Sequence, residues 1–528
     1  MKLTRRQLLK ATFGAAHLAL IERLGVPLVG GGRARASLPE GVPTRLLTIH
    51  VPGGWVPWYL WVPFTGPEIT SHLPPVEYYL NKEPVFYGPD DITNLDGTGD
   101  AMNGSYLPLR GPEHWNIEGA SANGRSWKDN ALWENVSVVH GLDVQTADHS
   151  SARISMMSGK ASATYQTPAV HAWIAWATSE IYGDDRPLGS VAVGNGPVPS
   201  PASLGAAGAP ILMPSLGALD YSLGEKVDSA WSGLRNRGTI DDVDFQGAAL
   251  GQELGANDME RVVLSRARAL HDTTNSATDA LYERIYDTYR GVSRLLAQDL
   301  IATIDATPSL VDESVLPKPD YVPSNWSFFG SSTVSSADSQ AGAPDIELAL
   351  KLLRSGLTSA ISLELRGIQG FEFDTHGSGH PRHFAHLRAV YDVIGRIIAQ
   401  LKNIPIGGGR VLLDDTLVVI QSEFSRTWPH SLQCDHWPAT SVAFAGGNVI
   451  PNRQIGRYAI PEGASPSGLG YLGDPVSMID EGGDLISRSP TSGDVVWTIL
   501  QQMGITNELK QGVFLGGGPG RFLGLEEA

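Results

Sequence analysis

The amino-acid sequence predicts an α/β fold, with a mostly parallel central sheet flanked by helices. Short apolar runs rich in β-branched residues, such as 45–51 and 416–421, end at glycine or at polar residues and are typical of buried strands. Segments with apolar residues at helical spacing, such as 384–401, alternate with these runs. This alternation of strand and helix patterns is characteristic of a parallel sheet covered by helices.

The predicted elements follow one another along the chain. The first strand ends at the Pro52–Gly54 turn, and the second ends at Gly141. Polar residues at 148–151 precede a run of helix formers and are expected to lie at a helix N-terminus, where free N–H groups stabilise anions. Strands are expected at 45–51, 135–141, 360–365, 416–421 and 440–445, and helices at 170–176, 346–358, 384–401 and 492–503.

The length of 528 residues allows two or three domains, or one large α/β domain with insertions. We expect a single domain over residues 44–528. Residues 65–130 are rich in Gly, Asn, Pro and Trp and are expected to form a loop-rich insertion. Apolar spacing over 255–305 indicates helices, so a helical insertion is expected at about residues 220–310.

The first 36 residues have the pattern of a twin-arginine (Tat) export signal. Arg5–Arg6 precede two leucines and a lysine, a weakly apolar stretch follows, and Ala34–Ala36 forms a small-x-small cleavage site. Glu22 and Arg23 interrupt the apolar stretch, so no stable membrane span is expected. The sequence therefore predicts a periplasmic or otherwise exported bacterial protein that meets the Tat translocase during export. The alternative is an amphipathic N-terminal helix of the folded domain.

Charge and cysteine content exclude several classes of function. The formal net charge of −17 repels nucleic acid and anionic lipid, so no nucleic-acid partner is expected. An anionic substrate would need a local metal or arginine site to overcome this charge. Cys434 is the single cysteine, which rules out an intramolecular disulfide framework.

Clusters of acids and imidazoles follow the apolar runs of the second half of the chain. In an open α/β sheet, ligands bind at the carboxyl ends of the strands. Carboxylates with neighbouring imidazoles suit zinc, manganese or iron, although salt bridges and capped turns are the alternatives for each cluster taken alone. The clusters are Asp374 with His376 and His380, Glu423 with Arg426, and Asp435 with His436.

The stretches Phe373–His376, Leu413–Thr427 and Asp435–Pro438 resemble the hallmark run of the bacterial domain-of-unknown-function family 1501. The resemblance is specific over about residues 360–450. That family typically has a Tat signal and is placed in the alkaline phosphatase/sulfatase superfamily. The resemblance therefore implies an alkaline-phosphatase-like fold and a divalent metal, with zinc first and manganese, iron or calcium as alternatives.

The resemblance also implies roles for individual residues. In that superfamily, two metal ions, usually zinc or a similar ion, clamp a phosphate or sulfate ester, and a Ser, Thr or modified Cys at a helix N-terminus attacks it. By chain position, Ser150 or Ser151 is the candidate nucleophile, beside His149, and Arg426 joins the catalytic set. The implied metal ligands are Asp374, His376, His380, Glu423, Asp435 and His436.

One position departs from the superfamily pattern. Val56 falls where a metal-binding aspartate is expected after the first strand, and His50 substitutes only if the backbone turns differently. A one-metal enzyme, a different reaction and an inactive relative therefore remain open. The leading hypothesis is a metal-dependent hydrolase of phosphate or sulfate esters acting on a small anionic substrate. The alternative is a non-catalytic exported binding or assembly protein with the same fold.

Overall fold

A computed structural model describes the parts of the chain that carry the sheet and the helices packed against it. The residues described are 41–55, 106–108, 135–161, 167–180, 186, 188–193, 211–213, 300–307, 344–365, 374, 394–395, 397–426, 435–451, 453–456, 458–459, 472–473, 476–480, 482–505, 520–523 and 525. The proposed signal lies outside them, as do most of the insertion at 65–130, of which only 106–108 are described, and most of the insertion at 220–310.

The chain divides into two compact units. The first comprises residues 1–37, 181–183 and 217–303, of which the structure describes only a short helical stretch at 300–303. The second comprises residues 38–180, 184–216 and 304–528 and contains every element described below. The single domain expected over 44–528 stays a prediction.

Strands make up most of the described elements. In chain order they are β1 (Arg45–His50), β2 (Tyr106–Pro108), β3 (Val136–Asp143), β4 (Gly189–Val193), β5 (Ile211–Met213), β6 (Thr358–Glu364), β7 (Pro405–Gly407), β8 (Arg410–Val411), β9 (Thr416–Gln421), β10 (Ser425–Arg426), β11 (His436–Trp437), β12 (Ala439–Ala445), β13 (Arg453–Ile455), β14 (Tyr458–Ala459), β15 (Leu472–Gly473), β16 (Val476–Ile479), β17 (Leu485–Arg488) and β18 (Arg521–Phe522).

Four α-helices are described in full, and each contains or overlaps a predicted helix. They pack on the sheet and on each other: α2 and α3 contact β4 and β6, while α1 packs against α4. Residues 397–403 are also helical, in agreement with the pattern over 384–401. The bounds are α1 (His149–Ser158), α2 (Val170–Glu180), α3 (Pro344–Ser355) and α4 (Ser492–Gln502), with a 3₁₀ turn at Leu412–Asp415.

The main sheet has nine described strands in the order β2-β13-β3-β12-β9-β1-β6-β4-β5. From β9 to β5 every pairing is parallel, whereas β12 runs antiparallel to both β9 and β3. The predicted α/β class is confirmed, and the sheet is mixed but mostly parallel. Because all six residues of β9 and all seven of β6 and β12 are buried, both faces of the sheet are covered.

The ends of five strands meet at one edge of this sheet, which we call the carboxyl edge. The parallel strands β1, β6 and β9 finish there with His50, Glu364 and Gln421 in register. Since β12 runs in the opposite direction, it begins at this edge, and β3, antiparallel to β12, ends there with Asp143 opposite Ala439. Segments that follow β3 and β9 or precede β12 are therefore brought together.

No helix among the described residues has the length and apolar character needed to cross a membrane.

The stability of the fold should depend on pH through His171 in α2. The ring is fully buried, and neither nitrogen has a hydrogen-bond partner among the described residues. Burial lowers the pKa of His171 to about 4, whereas an unfolded histidine titrates near about 6.5. Between these values only the unfolded chain takes up the proton. Stability is therefore lost as the pH falls from about 6.5 towards about 4.

Replacing this histidine should remove that loss. We expect His171→Leu to gain about 2 kcal/mol in unfolding free energy, relative to the parent, on going from pH ~7.5 to pH ~5. Denaturant titration at both pH values measures the difference. Ile174→Val, a buried change on the same helix, should shift stability equally at both. Equal effects of His171→Leu at the two pH values would contradict the prediction.

Candidate metal centre

Three potential metal ligands converge at the carboxyl edge. One ligand atom from each of His149, Asp374 and His436 lies within 4.8 Å of those of the other two. His149 is the first residue of α1, just after β3, and His436 lies on β11, just before β12. Asp374 follows β6 along the chain and is 39% exposed. The opposed directions of β3 and β12 thus bring the two histidines to the same place.

The ring of His149 is oriented by Glu423. Its Nδ1 lies 2.7 Å from Glu423 Oε1. Burial acts to raise the pKa of Glu423, but hydrogen bonds from His149 and from the Gly53 N–H outweigh it and hold the pKa well below its usual value. An ionised carboxylate can only accept, so Nδ1 donates. In the neutral ring Nε2 then carries the lone pair, and it points to Asp374 Oδ2 at 3.3 Å.

The ring of His436 is oriented in the same way by a backbone carbonyl. Its Nδ1 lies 2.8 Å from the carbonyl oxygen of Ala147, which can only accept, so Nδ1 donates here as well. Its Nε2 lies 3.3 Å from Asp374 Oδ1. Burial lowers the pKa of His436 and favours the neutral ring, which leaves the Nε2 lone pair facing the carboxylate.

These contacts match the environment that metal-bound histidines have in proteins. Such histidines donate the remaining ring N–H to a carboxylate or a carbonyl, which fixes the ring and the tautomer. Two lone pairs directed at an ionised carboxylate repel it unless a proton or a cation lies between them. His149 Nε2 has no hydrogen-bond partner among the described residues, although the atom itself is buried. The residues present therefore fit a divalent cation bound by His149, Asp374 and His436.

A proton competes with a cation for this position. The hydrogen bond with Glu423 raises the pKa of His149, so its Nε2 readily takes up a proton that Asp374 then faces. Because metal ligands must be deprotonated, binding at this nitrogen would release the proton.

Glu423 was predicted as a metal ligand, and the structure places it behind His149. It is 2% exposed and lies two residues past β9. Its Oε1 also accepts from the Gly53 N–H at 2.7 Å, and its Oε2 accepts from the Ser422 hydroxyl at 3.1 Å. His50 Nε2 lies 3.3 Å from the same Oε2. Direct ligation by Glu423 stays a prediction.

Arg426 fixes Asp374 from the interior. Its guanidinium is fully buried and donates to Asp374 Oδ1 at 2.7 Å and to the carbonyl oxygens of Gly53 and Gly54. Burial acts to raise the pKa of Asp374, but the Arg426 hydrogen bond and charge outweigh it and hold the pKa well below its usual value. Asp374 is therefore ionised, as a metal ligand must be.

Phe424 contacts both imidazoles and the turn after β1. Its ring centroid lies 4.7 Å from that of His149 and 4.5 Å from that of His436. Gly54 packs against the same ring, where an added Cβ would lie 2.5 Å from it. The Gly-Gly turn is thus required both by this close approach and by the positive φ of 76° at Gly54.

The remaining predicted residues are placed in part. Ser150 and Ser151 lie in the first turn of α1, as expected, with Ser150 exposed and the Ser151 N–H bonded to the Asp148 side chain at 2.8 Å. Asp435 is exposed and adjoins His436 but is not one of the three converging residues. Val56, His376 and His380 lie outside the described residues.

Two charged side chains near this group, one buried and one partly buried, were not assigned a role from sequence. Arg153 lies on α1, and its Nη2 is 3.1 Å from Glu364 Oε2 at the end of β6. The available signal was a glutamate at the end of a buried strand, and an arginine one helical turn after His149.

Comparison with known families agrees with the resemblance found in the sequence. Residues 336–461 match the model of a family described as "Protein of unknown function (DUF1501)". The matched range contains Asp374, Glu423 and His436, whereas His149 precedes it. Neither a curated protein nor a solved structure matches the chain.

The packing around Phe424 predicts the effect of a methyl group at Gly54. Gly54→Ala should cost about 1–2 kcal/mol for the left-handed backbone and a further ~1–3 kcal/mol for the clash with Phe424. Gly408→Ala is the matched control, since Gly408 has a φ of 62° and nothing within 4 Å of its added Cβ. Thermal unfolding of both variants measures the difference, and equal losses would contradict the role given to Phe424.

Proposed function

We propose that this chain, with its DUF1501 domain at residues 336–461, is an exported metal-dependent hydrolase of phosphate or sulfate esters. The observation that carries the proposal is the convergence of two imidazole Nε2 atoms on the Asp374 carboxylate, with both Nδ1 atoms already engaged. Export through the Tat system and an alkaline-phosphatase-like arrangement of the sheet belong to the same proposal. Their support is the sequence: the twin arginine, and the motif resemblance.

Two histidines and one carboxylate are the ligand set of many catalytic zinc sites. Such sites use three protein ligands and leave a fourth position for water or substrate. The set also accommodates iron or manganese, while the two imidazoles make calcium, which prefers oxygen ligands, the least suited. When bound, the ion would polarise the ester and lower the pKa of a bound water. The side chains of His149, Asp374 and His436 are 34, 39 and 23% exposed, so the group is open to solvent.

Among the described residues around the group, carboxylates outnumber guanidiniums, so a bound cation would supply the attraction for an anionic substrate. The guanidiniums are Arg426, which is fully buried, and Arg153, which is 15% exposed; the carboxylates are Glu364, Asp374 and Glu423, with Asp148 beside His149. A divalent ion would offset this excess of negative charge. The dipole of α1 also favours anions at this point, although the Asp148 side chain already accepts from the Ser151 N–H.

The nucleophile is proposed to be Ser150 or Ser151 in the first turn of α1. If His149 Nε2 binds the ion while Nδ1 donates to Glu423, no nitrogen of this ring is left to accept a proton from serine. His149 then acts as a ligand and not as a general base. The exposed side chain of Ser150 makes it the more accessible of the two serines.

The alternative is a non-catalytic exported binding or assembly protein. Its support is the Arg426–Asp374 pair, which already neutralises the carboxylate without a metal ion. Metal analysis and turnover assays separate the two proposals.

Zinc titration of the purified protein should show one tight site. Loss of a residue that only orients a ligand costs about 10–100-fold in affinity, so Asp374→Asn or His149→Ala should weaken binding by more than about 100-fold. Asp484→Asn, which changes an exposed carboxylate between β16 and β17, is the matched control and should leave binding unchanged. The proposed metal centre would be contradicted if the parent protein bound no divalent metal, or if Asp374→Asn kept the zinc affinity of the parent.

Turnover of aryl phosphates and aryl sulfates by the metal-loaded protein tests the reaction. We expect Asp374→Asn to abolish hydrolysis, because the variant lacks a ligand, and one of Ser150→Ala and Ser151→Ala to abolish it while zinc affinity is kept. A bound metal with no turnover of either ester class would favour the non-catalytic alternative.

A further inference from the structure

Three buried donor groups lie side by side at the carboxyl edge, next to the group formed by His149, Asp374 and His436. His50 ends β1 and Glu364 ends β6, with their Cα atoms paired in register. Glu423 follows β9, whose last residue is paired with His50 on the other side. His50 and Glu423 are 2% exposed and Glu364 is 8% exposed. An imidazole and two carboxylates are a donor set that binds divalent cations.

The guanidinium of Arg153 lies among these donors. Its Nε donates to His50 Nε2 at 3.3 Å, and its Nη2 lies 3.1 Å from Glu364 Oε2. Glu423 Oε2 is 3.3 Å from the same nitrogen of His50. A single guanidinium therefore contacts two of the donors, and the third adjoins them. Because buried carboxylates require a compensating charge, this arginine does for the three donors what a bound cation would do.

Helix α1 supplies both this guanidinium and one of the candidate metal ligands. Arg153 lies four residues after His149, so the two side chains share one face of the helix. That face is directed at the carboxyl edge, where His149 reaches Asp374 and Arg153 reaches Glu364. Helix α1 therefore contributes to two neighbouring cation positions. At the first, His149 can bind a metal ion; at the second, the guanidinium of Arg153 is itself the positive charge.

We propose that Arg153 is a built-in cation, which occupies a second cation position formed by His50, Glu364 and Glu423 and restricts the centre to one divalent ion. A guanidinium stays charged at any physiological pH and cannot dissociate from the site, so this second charge does not depend on metal supply. The inference deepens the proposed metal centre and rests on it for the count of ions in the parent protein.

Removal of the guanidinium should open the second position to zinc. Dialysed Arg153→Ala is expected to hold one zinc ion more per folded chain than the parent, and added zinc should raise its unfolding temperature more. Arg153→Gln removes the charge but retains a donor next to Glu364, and it should show the same gain even if Arg153→Ala folds poorly. The double variant Arg153→Ala/Glu364→Gln should return to the parent count, because one of the three ligands is lost.

Arg488→Ala is the matched control. Arg488 pairs with the buried carboxylate of Asp494, which is otherwise held by Thr491 and the Gly520 N–H. This variant also leaves a buried carboxylate without its guanidinium, but the other described partners of Asp494 are a hydroxyl and backbone N–H groups, which do not bind a cation, so it should gain no zinc. Circular dichroism establishes that each variant is folded before metal analysis.

Two results would overturn the inference: no additional zinc in folded Arg153→Ala or Arg153→Gln, or a gain that persists in the double variant. A parent protein that holds no zinc would instead count against the proposed function. In that case, one zinc ion per folded chain in the Arg153 variants would still support the second cation position. A parent and variants that all hold one ion would contradict this inference alone.

Discussion

The carboxylate of Glu423 is the constraint on which the arrangement at the carboxyl edge depends. It is 2% exposed, and burial of a charge without partners costs several kcal/mol. Its two oxygens are satisfied from three directions: the Gly53 N–H after β1, the Ser422 hydroxyl after β9, and the imidazole of His149 at the start of α1. The ends of β1 and β9 and the first residue of α1 are therefore tied to one another through a single side chain.

Arg426 makes a second set of contacts that connects segments of the carboxyl edge. Its guanidinium joins the carbonyl oxygens of Gly53 and Gly54 to Asp374, so the Gly-Gly turn donates to Glu423 and accepts from Arg426. The turn must be glycine for a physical reason, because Phe424 fills the space where a side chain would stand. The buried side chains of Glu423 and Arg426, which carry opposite charges, are thus both bound by the Gly53–Gly54 backbone. Glu423 orients His149, and Arg426 orients Asp374.

The strands and helices could be predicted well from sequence, because a buried segment has a recognisable local pattern of apolar residues. Strands such as β9 are continuous apolar runs, and α1 begins at Asp148, whose side chain caps the helix. The order and direction of the strands in the sheet have no such local pattern and could not be predicted. The antiparallel course of β12 follows from a short excursion through β10 and β11, which returns the chain to the edge where β9 ended. A crossover helix, which a parallel neighbour needs, is therefore not required here.

The candidate site could be predicted only in part, because some of its residues stand out locally while its contacts are long-range. Asp374 and His436 were found because acids and imidazoles after apolar runs stand out, but the pairing of His149 with Glu423 spans 274 residues. Which oxygen faces which nitrogen is decided by tertiary packing, so His149 was predicted only as a catalytic residue beside the two serines, whereas its geometry fits a metal ligand. Glu364 and Arg153 went unassigned because a single charge in a strand or a helix usually indicates a solvated face.

The contacts of Asp374 also show how the group keeps its shape. Oδ1 is shared by Arg426 and His436, while Oδ2 faces His149. The buried guanidinium supplies a positive charge that holds the carboxylate ionised and in position whether or not a cation is present. The rings of His149 and His436 are likewise fixed by Glu423 and by the Ala147 carbonyl, neither of which depends on a metal. The three ligand atoms are therefore brought together by the fold itself, and a cation that entered would meet a preformed site.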